Sequence, residues 1–148
     1  MMTMFFRAVA LVVLSSAVTA QAQQALVDER QDGFNEMGAA LKTLRDEYKS
    51  GSPKPDEIKT ALATISTLSE NIAGWFPEGS GPDAGLKTDA REYIWKNREK
   101  FDRITQELIE DSKALAAQAD SGDIAGVGKQ LRALRNHCSS CHDSYRVD

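Results

Sequence analysis

Apolar side chains recur at intervals of three and four along four successive stretches of the chain, the period at which one face of an α-helix returns. In the first stretch Leu26, Phe34, Met37, Leu41, Leu44 and Tyr48 share a face, and Arg30 falls on it as a charged member. Ser50-Gly51-Ser52-Pro53-Lys54-Pro55 stops that helix, and Asp56 and Glu57 place acids in the next first turn, where the helix dipole favours them. The second stretch runs Ile58, Leu62, Ile65, Leu68, Ile72 and Trp75-Phe76, and Pro77 ends it. Residues 78–87, rich in Gly, Pro and Ser, predict the longest and most mobile loop. Asp89 with Glu92 predicts a capping pair for a third helix, whose apolar face reads Ile94, Phe101, Ile104, Leu108 and Leu115. In Ser121-Gly122-Asp123 the glycine can close one helix and the aspartate cap the next.

The fourth stretch keeps the same alternation through Ile124, Val127, Leu131, Leu134, Cys138, Cys141 and Tyr145. Four helices on short connections predict an all-α, antiparallel, up-down-up-down four-helix bundle. Both cysteines then stand on the face that points into its core.

Length and the N-terminus bound this picture. The 148 residues suit one domain with one core. An apolar run from Phe5 to Leu14, carrying Arg7 and ending in Ala20-Gln21-Ala22, reads as a secretory signal with a small-x-small cleavage site. The expected organisation is therefore residues 1–22 as leader and 23–148 as the bundle, with a cut after Ala20 as the alternative. The run is too short to span a bilayer, so no membrane insertion is expected once the leader is removed. Loss of Arg7 leaves 17 basic against 22 acidic side chains, a net −5. With no basic stripe, that balance argues against nucleic acid as a partner.

The chemistry concentrates near the C-terminus in Cys138-Ser139-Ser140-Cys141-His142, which uses both cysteines of the chain. Cys-x-x-Cys-His is the attachment signature of a c-type haem. Two thiols add across the two vinyl groups of one porphyrin, and the histidine offers an imidazole nitrogen to the iron. On a helix the three side chains can address one group from one side. A redox disulfide would want a βαβ context, which the pattern does not provide. A zinc site from His137, Cys138, Cys141 and His142 would crowd four ligands into six residues. In an exported chain a structural disulfide is the remaining competitor. The leader supports haem c instead, one per chain and covalent, because such attachment takes place outside the bacterial cytoplasm.

Together these features resemble the cytochrome c-prime family, c-type cytochromes with a C-terminal haem on four helices. The resemblance spans the mature chain. It rests on the Cys138-to-His142 motif with Tyr145-Arg146 after it, on Arg30-Gln31, on Trp75-Phe76-Pro77 and on Ile94-Trp95. It implies His142 as the axial iron ligand, Cys138 and Cys141 as thioether anchors, and Arg30 and Gln31 near a haem propionate. A guanidinium there would pair with a carboxylate as a fork. Arg146 matches a basic residue beside the histidine, with a solvated helix face as its plain alternative. Phe34 matches the position facing the iron on the other side, where electron-carrying relatives have a ligating methionine. Phenylalanine has no lone pair to donate, so a five-coordinate, high-spin iron is expected. Nitric oxide or carbon monoxide could enter such an apolar pocket, whereas charged ligands would lose hydration.

Met37, three residues further on the same face, is the competing sixth ligand and would make a six-coordinate electron carrier; its ordinary role is core filler. His137 points away from the face of Cys138 and is expected at the surface. No catalytic triad, phosphate loop or dinucleotide fingerprint appears, so no enzyme is expected. The resemblance further implies a periplasmic location, a possible redox partner protein, and a homodimer through the first two helices, for which Leu44, Tyr48, Ile58 and Leu62 are the candidate surface.

Overall fold

The computed structural model describes residues 9–147, with side chains from residue 21 onward. Most of the expected leader therefore lies outside the described side chains. Four long helices make the bundle: α1, Val9–Lys49; α2, Pro55–Ser69; α3, Arg98–Asp120; and α4, Ile124–Tyr145. Among the described residues the only β-type pairing is one isolated antiparallel bridge, Ala90 with Arg146. No helix among them is long and apolar enough to cross a membrane.

The helices pack in chain order, α1 on α2, α2 on α3 and α3 on α4, while α1 and α4 barely meet. Two serines let α2 and α3 approach closely: Ser69 and Ser112 are fully buried and their hydroxyls lie 3.2 Å apart. Each hydroxyl also donates to the carbonyl three residues back, at Ser66 and Ile109, so neither is left unpaired. Arg98 ties the start of α3 to the end of the second hairpin arm, donating to the Phe76 carbonyl at 2.7 Å and to that of Ala73 at 2.9 Å. These are carbonyls left over where the chain leaves its helical turn at Ile72–Trp75.

The buried stripe of α1 is rotated from the one the pattern suggests. Val27, Arg30, Gly33, Met37, Ala40 and Leu44 are buried, while Phe34 and Leu41 are only half-buried and face the gap toward α4. Gly33 permits the closest approach. A Cβ there would lie 2.3 Å from Cη2 of the buried Trp75, so the indole lies directly on the helix backbone.

Two expectations change. Asp89 and Glu92 do not cap the third helix. That helix begins only at Arg98, after a single helical turn, Tyr93–Lys96, interrupted at Asn97 with φ −133° and ψ 45°. Residues 89–91 instead use their backbone to pair with the end of α4. The candidate dimer surface is also consumed: Leu44, Ile58 and Leu62 have no exposed surface, and the Tyr48 hydroxyl donates to the Ile124 carbonyl at 2.7 Å. By contrast the link between α3 and α4 forms as expected. Gly122 adopts φ +91°, and the Asp123 carboxylate accepts from the Gly126 amide at 2.9 Å.

An interior helical glycine usually gains up to about 1 kcal/mol of stability as alanine. Gly33→Ala should do the reverse, costing about 1–3 kcal/mol through displacement of Trp75. Chemical denaturation of the purified holoprotein would show the sign directly.

Candidate functional site

The gap between α1 and α4 holds two adjoining cavities. The larger, about 530 Å³, is lined by Arg30, Gln31, Phe34, Phe76, Thr88, Ala90, Phe101, Cys141, His142, Tyr145 and Arg146, among others. That size falls in the roughly 300–1,000 Å³ range of cofactor sites. The smaller is almost wholly apolar and is lined by Phe34, Met37, Leu41, Ile104, Leu108 and Leu134 with His137, Cys138, Cys141 and His142. Cys141, His142, Phe34 and Gly38 border both.

His142 projects from the last turns of α4, and the Phe34 ring on α1 stands across from it, centroids 6.5 Å apart at 76°. Trp75 holds Phe34 from behind in an edge-to-face contact at 5.3 Å. Burial lowers the His142 pKa, and Arg146 lowers it further against an opposing pull from Asp143. The imidazole is therefore neutral near pH 7 and keeps a lone pair for a metal. Cys138 and Cys141 are free, half-buried thiols. Burial raises both, Cys141 to about 11 with Cys138 adding to the effect.

Arg30 carries the strongest electrostatic signal. Only 2% exposed, it lies over the Phe76 ring at 4.6 Å. One guanidinium nitrogen donates to the carbonyls of Trp75 at 3.3 Å and Ser80 at 3.0 Å and to the Ser80 hydroxyl at 3.3 Å, and the other donates to the Thr88 hydroxyl. Burial depresses its pKa. No carboxylate forms an ion pair with it among the described residues, although Asp89 borders the same cavity, so a buried cation stands at the cavity wall without a salt-bridge partner.

Loop residues 80 and 88 supply these anchors, and no periodicity in the sequence marks them. Gly38 was equally unmarked: a Cβ there would meet no protein atom within 4 Å, because the position opens onto the gap. His137 is a structural tie, its Nε2 lying 2.7 Å from the Asp111 carboxylate on α3. Gln31 and Arg146 are exposed residues on the rim of the larger cavity. Among the described residues no cluster of three or more His, Cys, Asp or Glu side chains could hold a metal ion.

The donor set fits a haem. Two thiols and an imidazole face a slot that is apolar in its depth, a glycine leaves room at its wall, and a cation without a salt-bridge partner stands where the slot turns polar. The sequence profile described as Cytochrome C' matches residues 25–146. The chain belongs to that family. It accordingly carries covalently bound haem c.

Two relatives illustrate the match. The chain is 32% identical over 124 residues to cytochrome c' of Pararhodospirillum photometricum, covering 83% of this chain and 97% of that one. It is 30% identical over 122 residues to cytochrome c-556 of Agrobacterium tumefaciens (strain B2A), covering 82% and 96%. The crystal structure of cytochrome c' from Thermochromatium tepidum superposes with a TM-score of 0.78 at 21% identity, covering 85% of this chain and 97% of that one, which shows the fold.

Cys138 and Cys141 should each form one thioether. The wild-type chain should keep its haem stain on a denaturing gel, and the C138A/C141A double variant should lose it. Either single variant should retain the stain with its reduced α-band moved to longer wavelength, since one vinyl group stays conjugated.

Proposed function

We propose that this protein is a periplasmic haem protein with a five-coordinate, high-spin iron that binds small neutral diatomics such as nitric oxide or carbon monoxide, without turnover of its own. The observation that carries the reading is Phe34 standing across the slot from His142. Its ring offers no donor atom, and Trp75 holds it in place. Met37 is 7% exposed and packed in the hydrophobic core, and it borders only the narrower cavity. That placement supports its role as filler.

When bound, the haem supplies an iron with one coordination position to spare. The protein's own residues would hold it: His142 would offer its imidazole from α4, Phe34 and Leu41 would cover it with apolar surface, and Arg30 would offer a cation to acidic groups at its edge. An apolar approach favours neutral gases because a charged ligand must shed its hydration to enter.

Electron transfer with a six-coordinate iron and Met37 as sixth ligand is the second reading, and the relative named cytochrome c-556 keeps it in view. A redox partner protein would serve either reading. Oligomeric state belongs to the same proposal: another solved cytochrome c' of this fold undergoes ligand-controlled dimer dissociation. A homodimer here would need exposed residues of α1 and α2 rather than their buried stripe.

Visible spectra of the oxidised and reduced holoprotein should be high-spin and should shift readily on adding nitric oxide. Met37→Leu should leave them unchanged, whereas Phe34→Met should convert them to split low-spin bands. Low-spin bands in the wild type that M37L abolishes would hand the sixth position to Met37.

Export is the remaining part of the reading. Intact mass of the chain from a periplasmic extract should correspond to a start at Gln23 plus one haem. A start at Gln21 would place the cut after Ala20.

A further inference from the structure

Residues 88–91 close one end of the gap that the helices leave open. Thr88 accepts a hydrogen bond from Arg30 of α1 and, at 3.1 Å, from the amide of Ala90. The Arg91 amide donates to the Tyr145 carbonyl at 2.9 Å, and the Val147 amide donates to the Asp89 carbonyl at 2.7 Å. The Arg91 guanidinium reaches the Asp143 carbonyl at 3.3 Å. The next residues continue the clasp, with the Tyr93 ring stacked on Tyr145 at 5.7 Å and 25°.

These bonds fall on the residues directly after His142. A helix leaves its last four carbonyls without intrahelical donors. In α4 the His142 carbonyl accepts from the Arg146 amide at 3.0 Å, and Arg91 satisfies those of Asp143 and Tyr145 from outside the helix. Its positive charge also suits the negative end of the helix dipole. One continuous path therefore runs from the guanidinium of Arg30, through Thr88 and the backbone of 89–91, to the turn that follows His142.

We propose that segment 88–91 is a clasp that fixes the last turn of α4 relative to Arg30, with Arg91 and Thr88 as positioning residues for the iron ligand His142. The proposal rests on the haem site described above but holds for either sixth-ligand reading. Arg91 acts on His142 through the backbone it holds, as hydrogen-bonded groups around a metal orient its ligands in other sites. Thr88 serves both sides, since the hydroxyl that anchors Arg30 also holds the amide of Ala90.

The test compares haem-loaded Arg91→Ala, Arg91→Lys and Thr88→Val with the wild type by ferric electron paramagnetic resonance, which reports ligand geometry in high-spin and low-spin haem alike. R91A and T88V should shift and broaden the signal. R91K keeps a long cation able to reach the Asp143 carbonyl and should return the signal toward the wild-type position. If the iron is five-coordinate, the iron–histidine stretch in the ferrous resonance Raman spectrum should broaden in the same two variants. Variants that melt earlier but keep wild-type haem signals would overturn the proposal and leave the clasp as a helix cap alone. A low-spin wild type would overturn the Phe34 reading while the same comparison still decides the clasp. A wild-type chain without haem would overturn the haem site and the clasp together.

Discussion

The open seam between α1 and α4 is the constraint on which the rest of the structure depends. Three of the helix pairs around the bundle pack along their length, whereas α1 and α4 touch chiefly at one end, where Tyr48 meets Ile124 and Gly128. Along that seam Phe34, Leu41, Ile104 and Leu134 present apolar surface to a cavity, which in a close-packed interior is a loss of dispersion contacts as well as of hydrophobic burial. The flat, largely apolar haem of this family would restore both if seated there. The polar residues cluster at one end of the seam, where Arg30, Gln31, Thr88, Asp89 and Arg146 stand.

Seen this way, the site is a shared property of two helices far apart in the chain. α4 brings the two thiols and the imidazole, and α1 brings Phe34 and the buried cation of Arg30. Loop 77–88 belongs to the site as much as the helices do, because it carries the acceptors that hold Arg30 in place. A buried guanidinium is costly unless its hydrogens are satisfied. Trp75, Ser80 and Thr88 accept from both terminal nitrogens of the guanidinium without neutralising its charge.

Much of this was legible beforehand because it follows from periodicity and from one motif. The helices announce themselves by spacing, and the Cys138-to-His142 motif names its cofactor. The position of Phe34 across from His142 was readable by resemblance. What escaped has a physical pattern. The rotation of the α1 stripe escaped because Phe34 and Leu41 turn toward the open seam as well as toward the core, and a hydrophobic pattern does not distinguish the two. The Asp89 and Glu92 cap failed because backbone pairing with residues 145–147 competed for that segment and won. Ser80, Thr88 and Gly38 act through a hydroxyl, or through a missing side chain, at places only the folded chain defines. Leu44, Ile58 and Leu62 show the same ambiguity, since a broad apolar face serves a core or an interface equally well on paper.

The placement of the attachment motif has a consequence for how the molecule comes into being. The contacts of α1 with α2, α2 with α3 and α3 with α4 join segments near in sequence, which are quick to find one another. The seam joins the first helix to the last and is the one closure that spans nearly the whole chain. The thiols that must react stand on that last helix, facing the seam, so the bundle can be three-quarters built while its reactive face is still open. On chain-entropy grounds the seam is the closure that costs most to form, which is where a group bridging it contributes most.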